Sequence, residues 1–112
     1  MSFEGIYTAY LTGTAGQGMA MFVFAAGKIS GADIAGLVFS GSYVIKGNTV
    51  EGLVEYRMPS NSLSITGATF ARDSEIISVP ITLPTEIDEQ ETYRIETPIG
   101  PLNAKFVKNT EL

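Results

Sequence analysis

An all-β domain, either a sandwich or a closed barrel, is predicted by three observations. Several short segments alternate apolar and polar residues at the period of a strand. Glycine, proline and asparagine punctuate those segments at close intervals. No segment carries a sustained i, i+3, i+4, i+7 apolar stripe, so no amphipathic helix is expected.

Phe3 to Thr12 is rich in aromatic and β-branched residues and reads as the first strand, with Gly13 to Gly16 as a turn. Gly18 to Ala26 reads as a second strand, apolar on both faces. Gly27-Lys28 offers glycine at the first position of a type II′ turn, and Ile29-Ser30 opens a short return strand. Gly31 to Gly36 reads as a loop with at most one helical turn, which Asp33 caps.

Phe39 to Met58 is the clearest hairpin. Folded at Gly47-Asn48, it sets Ile45 against Val50, Tyr43 against Gly52, Gly41 against Val54 and Phe39 against Tyr56. The other surface pairs Val44 with Glu51, Ser42 with Leu53, Ser40 with Glu55 and Val38 with Arg57. One face is apolar and the other mostly polar, as in an antiparallel pair buried on one side. Gly47 and Asn48 both tolerate the positive φ of a primed turn.

Leu63 to Ser74 suggests a short strand near Leu63 to Thr66, with Phe70 as its anchor to the core. Ile77, Val79, Ile81 and Leu83 share one face of a further strand, Ile76 to Leu83. Pro80 on its other face cannot donate to a ladder and calls for an edge or a bulge. Thr85 to Thr92 is an acidic connection. A last hairpin sets Tyr93, Ile95 and Thr97 against Phe106, Ala104 and Leu102, with Pro98 to Pro101 as its turn. Hairpin-by-hairpin order favours up-and-down connections, and closure would remove exposed strand edges.

Composition narrows the chemistry. The 112 residues make one domain by size. The chain has no cysteine and no histidine, so disulfides, thiol nucleophiles, a Ser-His-Asp triad and ordinary zinc sites are excluded. No cofactor is expected. The net charge of −5 disfavours nucleic-acid backbones and suits a basic partner. MSFEGIY lacks a basic stretch followed by an apolar core, so no signal peptide is expected. The longest apolar run, Met19 to Ala26, is too short to span a bilayer as a helix. A soluble, cytoplasmic protein without membrane contact is the expectation.

Three groups of residues are candidates for function. Met19, Met21 and Val23 lie opposite Ala20, Phe22 and Phe24. If Phe22 and Phe24 fill the interior, the methionine face points outward and needs a cover, either the chain around Leu63 to Asp73 or a second subunit. Phe3, Tyr7, Tyr10, Phe39, Tyr43, Tyr56, Tyr93 and Phe106, with Phe22 and Phe24, either line a cavity for an apolar small molecule or form a filled core. The hairpin tip Lys46, Gly47 and Asn48 is the third. Glu86, Asp88, Glu89 and Glu91 read as a solvated connection, and Glu51 and Glu55 as solvent-facing charges rather than a glycosidase pair.

Gly5-Ile6-Tyr7, Gly18, the run Gly27-Lys28-Ile29-Ser30-Gly31-Ala32-Asp33, and Gly41-Ser42-Tyr43 follow one another in an order and spacing that resemble the GrlR-like family. These are negative regulators associated with type III secretion. The resemblance implies a small eight-stranded, antiparallel up-and-down barrel of calycin or lipocalin type, usually dimeric. It implies a protein without enzymatic activity that holds a transcriptional activator. Its motifs lie in the first half of the chain. Ala32 stands where the family has glycine, and Phe39 where it has tyrosine. The family's acidic partner-binding patch falls at Lys46-Gly47-Asn48, with only Glu51 nearby, so those partner-binding residues do not carry over.

Overall fold

A computed structural model describes residues 3–58, 62–63, 69–70 and 75–112. Ten strands are described: β1 (Gly5–Gly13), β2 (Gly16–Ala25), β3 (Lys28–Asp33), β4 (Val38–Lys46), β5 (Thr49–Met58), β6 (Ser62–Leu63), β7 (Thr69–Phe70), β8 (Glu75–Pro84), β9 (Tyr93–Thr97) and β10 (Gly100–Glu111). There is no helix among the described residues. Eight strands form one antiparallel sheet in the order β8-β5-β4-β3-β2-β1-β10-β9, and β6 pairs with β7 separately. The sheet curls until β8 and β9 lie side by side without a ladder between them. The result is a nearly closed up-and-down barrel with one unzipped seam.

Strand parity fills the interior. Tyr7 and Ala9 from β1, Ala20 and Phe24 from β2, Ile29 from β3, and Phe39 and Tyr43 from β4 are buried. Val50 and Val54 from β5, the four alternating residues Ile77, Val79, Ile81 and Leu83 from β8, and Ala104 and Phe106 from β10 complete the core with Phe3. Across the strands, large side chains meet small ones. Gly31 lies between Phe22 and Phe39, Gly41 between Ile29 and Val54, and Gly52 between Tyr43 and Ile81. An eight-stranded barrel is just wide enough for side chains to fill it, and alternation of large and small lets rings fit.

The β4–β5 register is the expected one from Ser40↔Glu55 to Lys46↔Thr49, and the Phe39 and Tyr56 rings touch at 5.2 Å between centroids. Its turn has positive φ at Gly47 (63°), with Asn48 absent from the positive-φ residues, the pattern of a II′ turn. Ile45 belongs to the interior parity but is exposed, because the β3 ladder beside it ends at Lys28↔Ser42, although its partner Val50 on β5 is buried.

Other expectations need correction. The β2–β3 turn is Ala26-Gly27 rather than Gly27-Lys28, since Lys28 already pairs with Ala25. Both turn residues have positive φ, 51° and 78°, the I′ pattern. The left-handed conformation costs alanine roughly 1–2 kcal/mol, and the Ala26 N–H is held by Glu4 Oε2 at 2.5 Å. Gly31 to Asp33 is strand, not loop, because all three pair with β2, and Gly31 and Ala32 pair with β4 as well. Asp33 caps a turn instead of a helix: its Oδ1 accepts from the N–H groups of Ala35 (2.9 Å) and Leu37 (2.8 Å). The last hairpin is shifted by two residues. Leu102 pairs with Ile95 and Ala104 with Tyr93, so the turn is Pro98-Ile99 alone. A two-residue shift keeps every side chain on its expected face.

Ser62↔Phe70 and Leu63↔Thr69 pair where a short strand was expected. The anchoring of Phe70 and the covering of the methionine face by this segment lie outside the described side chains. Pro80 sits on the edge strand β8, as its missing N–H requires. Pro80 and Pro84 share one parity and interrupt no pairing with Leu53 and Thr49. Neither can donate to β5, so residues of the other parity supply the ladder donors, and the free edge of β8 is short of donors.

A Cβ on Gly41 would fall 1.9 Å from the Leu53 carbonyl oxygen, whereas one on Gly47 would meet nothing within 4 Å. Gly41→Ala should therefore cost about 3 kcal/mol of unfolding free energy. Gly47→Ala, limited to backbone strain, should cost about 1 kcal/mol. Urea titration of both variants checks this ordering, and equal losses would show that close strand approach at Gly41 is not what excludes a side chain.

Candidate functional site

The interior was one candidate, and its geometry is that of an aromatic core. Phe3 lies 4.8 Å from Phe24, Phe24 5.4 Å from Tyr7 and 5.7 Å from Tyr43, mostly edge to face. Phe22 connects Phe24 (6.3 Å) to Phe39 (5.2 Å), and Phe39 connects to Tyr56. Tyr93 and Phe106 form a separate pair at 6.2 Å. Tyr10 does not join them. It has the opposite parity to Tyr7, lies across from Met19, and is exposed.

The polar atoms of this core are satisfied from within. Tyr7 Oη donates to the Phe3 carbonyl at 2.6 Å, and the Lys108 ammonium lies 5.8 Å from the Tyr7 ring centroid. Lys108 is tied to Glu111 at 2.9 Å. Burial, and then the charges of Glu111 and Tyr43, push the Tyr7 phenol up to about 12. Burial, and then Asp33, raise that of Tyr56. Among the described residues no buried side-chain polar atom lacks a hydrogen-bond partner.

The methionine face points outward, as Phe22 and Phe24 fill the interior. Met19 and Met21 are exposed and Val23 is half-buried.

The hairpin tip forms a second surface. Lys46 reaches Glu51 at 3.6 Å in an exposed ion pair, a contact of small net worth. Beside it Val44 and Leu53 stand exposed on the outer face, with Ile45 exposed on the opposite face of the strand, and Leu53 pairs with the exposed Pro80. The tip is anchored, because Asn48 O accepts from the Thr85 N–H at 2.9 Å and from Thr85 Oγ1 at 3.3 Å. Sequence reading gave Val44 and Leu53 to the mostly polar surface without drawing their consequence. The signal was two apolar residues at diagonal positions on a face of charges and serines.

Glu51 and Glu55 each engage a neighbour rather than each other, Glu51 with Lys46 and Glu55 with the Ser78 hydroxyl at 3.2 Å. In the acidic connection, Asp88 Oδ1 accepts from the Gln90 N–H and Glu89 Oε2 from the Lys108 N–H. A hollow of about 400 Å³, which sequence reading missed, lies on the outer wall between Leu37, Val38, Ser40, Glu55, Arg57 and Ile76. The hairpin register already set Val38 beside Arg57 and Ser40 beside Glu55, so the signal was there.

No family model, curated protein or solved structure matches the chain.

Tyr7 offers a direct check of the core. Its raised folded-state pKa favours the neutral phenol, so the stability it contributes is complete below pH 10 and is lost as the pH rises through about 12. Ultraviolet titration should show a phenol ionising near 12 that Tyr7→Phe removes, and Tyr7→Phe should flatten the loss of stability above pH 10. Ionisation of every tyrosine near 10 would contradict the buried, hydrogen-bonded geometry.

Proposed function

We propose that this barrel is a non-enzymatic regulatory protein of the cytoplasm that acts by binding a protein partner through the end of the β4–β5 hairpin. The observation that carries the proposal is the pair of exposed outward apolar residues Val44 and Leu53 beside the Lys46–Glu51 pair, on a tip held in place by Thr85. An apolar centre with a charged rim on a rigid element is the composition of a protein interface. The resemblance to the GrlR-like negative regulators of type III secretion supports this reading and makes a transcriptional regulator the partner class. The absence of cysteine and histidine removes thiol nucleophiles and the commonest general base.

The tip departs from an acidic patch: it carries Lys46 paired to Glu51, with Gly47 and Asn48 at the turn. Recognition here rests on the apolar cluster, with charge supplying orientation. The alternative, a carrier of an apolar small molecule, finds less support. The rings touch in a continuous chain from Phe3 to Tyr56, in the space such a ligand would need.

Capture of binding partners from the source cell with the tagged protein tests the proposal. A stoichiometric protein should be retained by the native chain and lost, by at least about tenfold in affinity, with Leu53→Asp or Val44→Asp. Retention of the same partner by both variants at unchanged strength would remove the hairpin end from the interface.

A further inference from the structure

Two neighbouring strands part at the end of the barrel away from the hairpin tip. The β3–β4 ladder runs on to Ala32↔Val38, and the β5–β8 ladder to Met58↔Glu75. The β4–β5 ladder stops short of both, at Ser40↔Glu55. Each strand is thus held by its other neighbour while the pair between them opens. Lys46↔Thr49 closes a two-residue turn and is a hydrogen-bonded pair, so by alternation Val38 directs its N–H and C=O towards β5, past the last ladder pair. The hollow of about 400 Å³ on the outer wall lies at this opening, and its volume is that of a small-ligand site. Its lining is divided. Leu37, Val38 and Ile76 give it an apolar side, with Val38 and Ile76 both well exposed. Glu55 and Arg57 bring one charge of each sign, and Ser40 a hydroxyl. The Ser78 hydroxyl donates to Glu55 Oε2 at 3.2 Å, which orients the carboxylate.

We infer that this hollow binds a free α-amino acid with an apolar side chain. Charge selects the ligand. A phosphate or other anion would meet the Glu55 carboxylate, and a simple cation the Arg57 guanidinium. An uncharged molecule would draw both charges from water without pairing either. A zwitterion answers both. Glu55 and Arg57 are two residues apart on β5 and face the same way, with Cα atoms roughly 7 Å apart. The ammonium and carboxylate of an amino acid, with a charge-assisted hydrogen bond of about 2.8 Å at each end, span a similar distance. The carboxylate lies in the fork of Arg57, whose five donors can hold it and a protein neighbour at once. The ammonium lies on Glu55, and the side chain turns onto Val38 and Ile76. The site is on the outer wall, so the filled interior does not obstruct it. It lies at the opposite end of β4 from the hairpin tip and does not depend on the partner site proposed above.

Titration of the native chain with L-leucine, followed by nuclear magnetic resonance, tests this. The amide signals of Val38, Ser40, Glu55 and Arg57 should move saturably, with a dissociation constant below about 10 mM. N-acetyl-leucine, which lacks the ammonium, and leucine amide, which lacks the carboxylate, should each bind at least about tenfold more weakly. Glycine, which lacks the apolar arm, should do the same. Glu55→Gln should weaken leucine and leucine amide alike and leave N-acetyl-leucine unchanged. Arg57→Gln should weaken leucine and N-acetyl-leucine and leave leucine amide unchanged. Both side chains are exposed, so both variants should keep the native spectrum, and the analogue series decides the matter on the native chain without any substitution. Leu53→Asp, which tests the hairpin end, should leave leucine binding intact. The inference would be overturned by the lack of saturable movement at these four residues in that range. Equal binding of leucine and its two blocked analogues, or unchanged leucine affinity in either variant, would overturn it as well.

Discussion

The structure depends on how little room eight strands leave inside a barrel. Phe22 and Phe24 from β2, and Phe39 and Tyr43 from β4, project into that room from either side of β3. They fit because glycine lies across from them or beside them. At Gly31 and Gly41 the constraint reaches the backbone. A Cβ on Gly31 would meet the Met21 carbonyl oxygen at 2.5 Å, and one on Gly41 would overlap that of Leu53. At these points neighbouring backbone approaches closely, and glycine is what lets a strand approach or bend without a side chain striking its neighbour. The same residues thus provide volume for the rings and curvature for closure. Apolar burial then drives the collapse, and the large-small pairing makes the collapsed state a single packing.

Curvature also explains the incomplete closure. Seven strand contacts are zipped by ladders, and the eighth, between β8 and β9, is not. β9 has five residues against ten in β8, and two prolines occupy one parity of β8. The seam is closed by side chains: Ile87 and Tyr93 pack on the core, and the Tyr93 hydroxyl accepts from the Asp88 N–H at 3.1 Å. A seam of this kind keeps the barrel shut while offering few donors to an extended chain arriving from outside.

Local hairpins were legible in the sequence because their registers follow from alternation and turn chemistry. Residues forty to fifty-five needed only a turn at Gly47-Asn48 and the rule that one face is buried. The last hairpin was placed two residues out, because Pro98 to Pro101 offers two plausible turns and both put the same residues inside. Tyr10 was grouped with Tyr7 by residue type although their parities differ, and parity decides which side of the wall a residue occupies. The pairing of β1 with β10, with its shift between Ile6 and Tyr7, joins residues about a hundred positions apart. No local pattern encodes such a contact. Of the candidate sites, the outward methionines followed from β2 alone. The exposure of Ile45 needed the knowledge that β3 stops at Lys28↔Ser42, which depends on how far the other strands extend.

The two exposed apolar regions have different causes. Val44 and Leu53 stand on a surface that also carries Lys46, Glu51 and Glu55, where burial by a partner would be accompanied by oriented charge. Charged rims raise the rate and selectivity of encounter more than they raise affinity. The β1–β2 surface has no such groups, so contact there gains from area alone and discriminates only by shape. A surface with charge around an apolar centre suits a partner that must be told apart from others. Among the described residues charge is therefore spread unevenly over the wall, gathered around Val44 and Leu53 and absent from Ile6 to Thr12 of β1 and Gln17 to Ala25 of β2, so a contact that needs oriented charge has its place at the hairpin and not on those two strands.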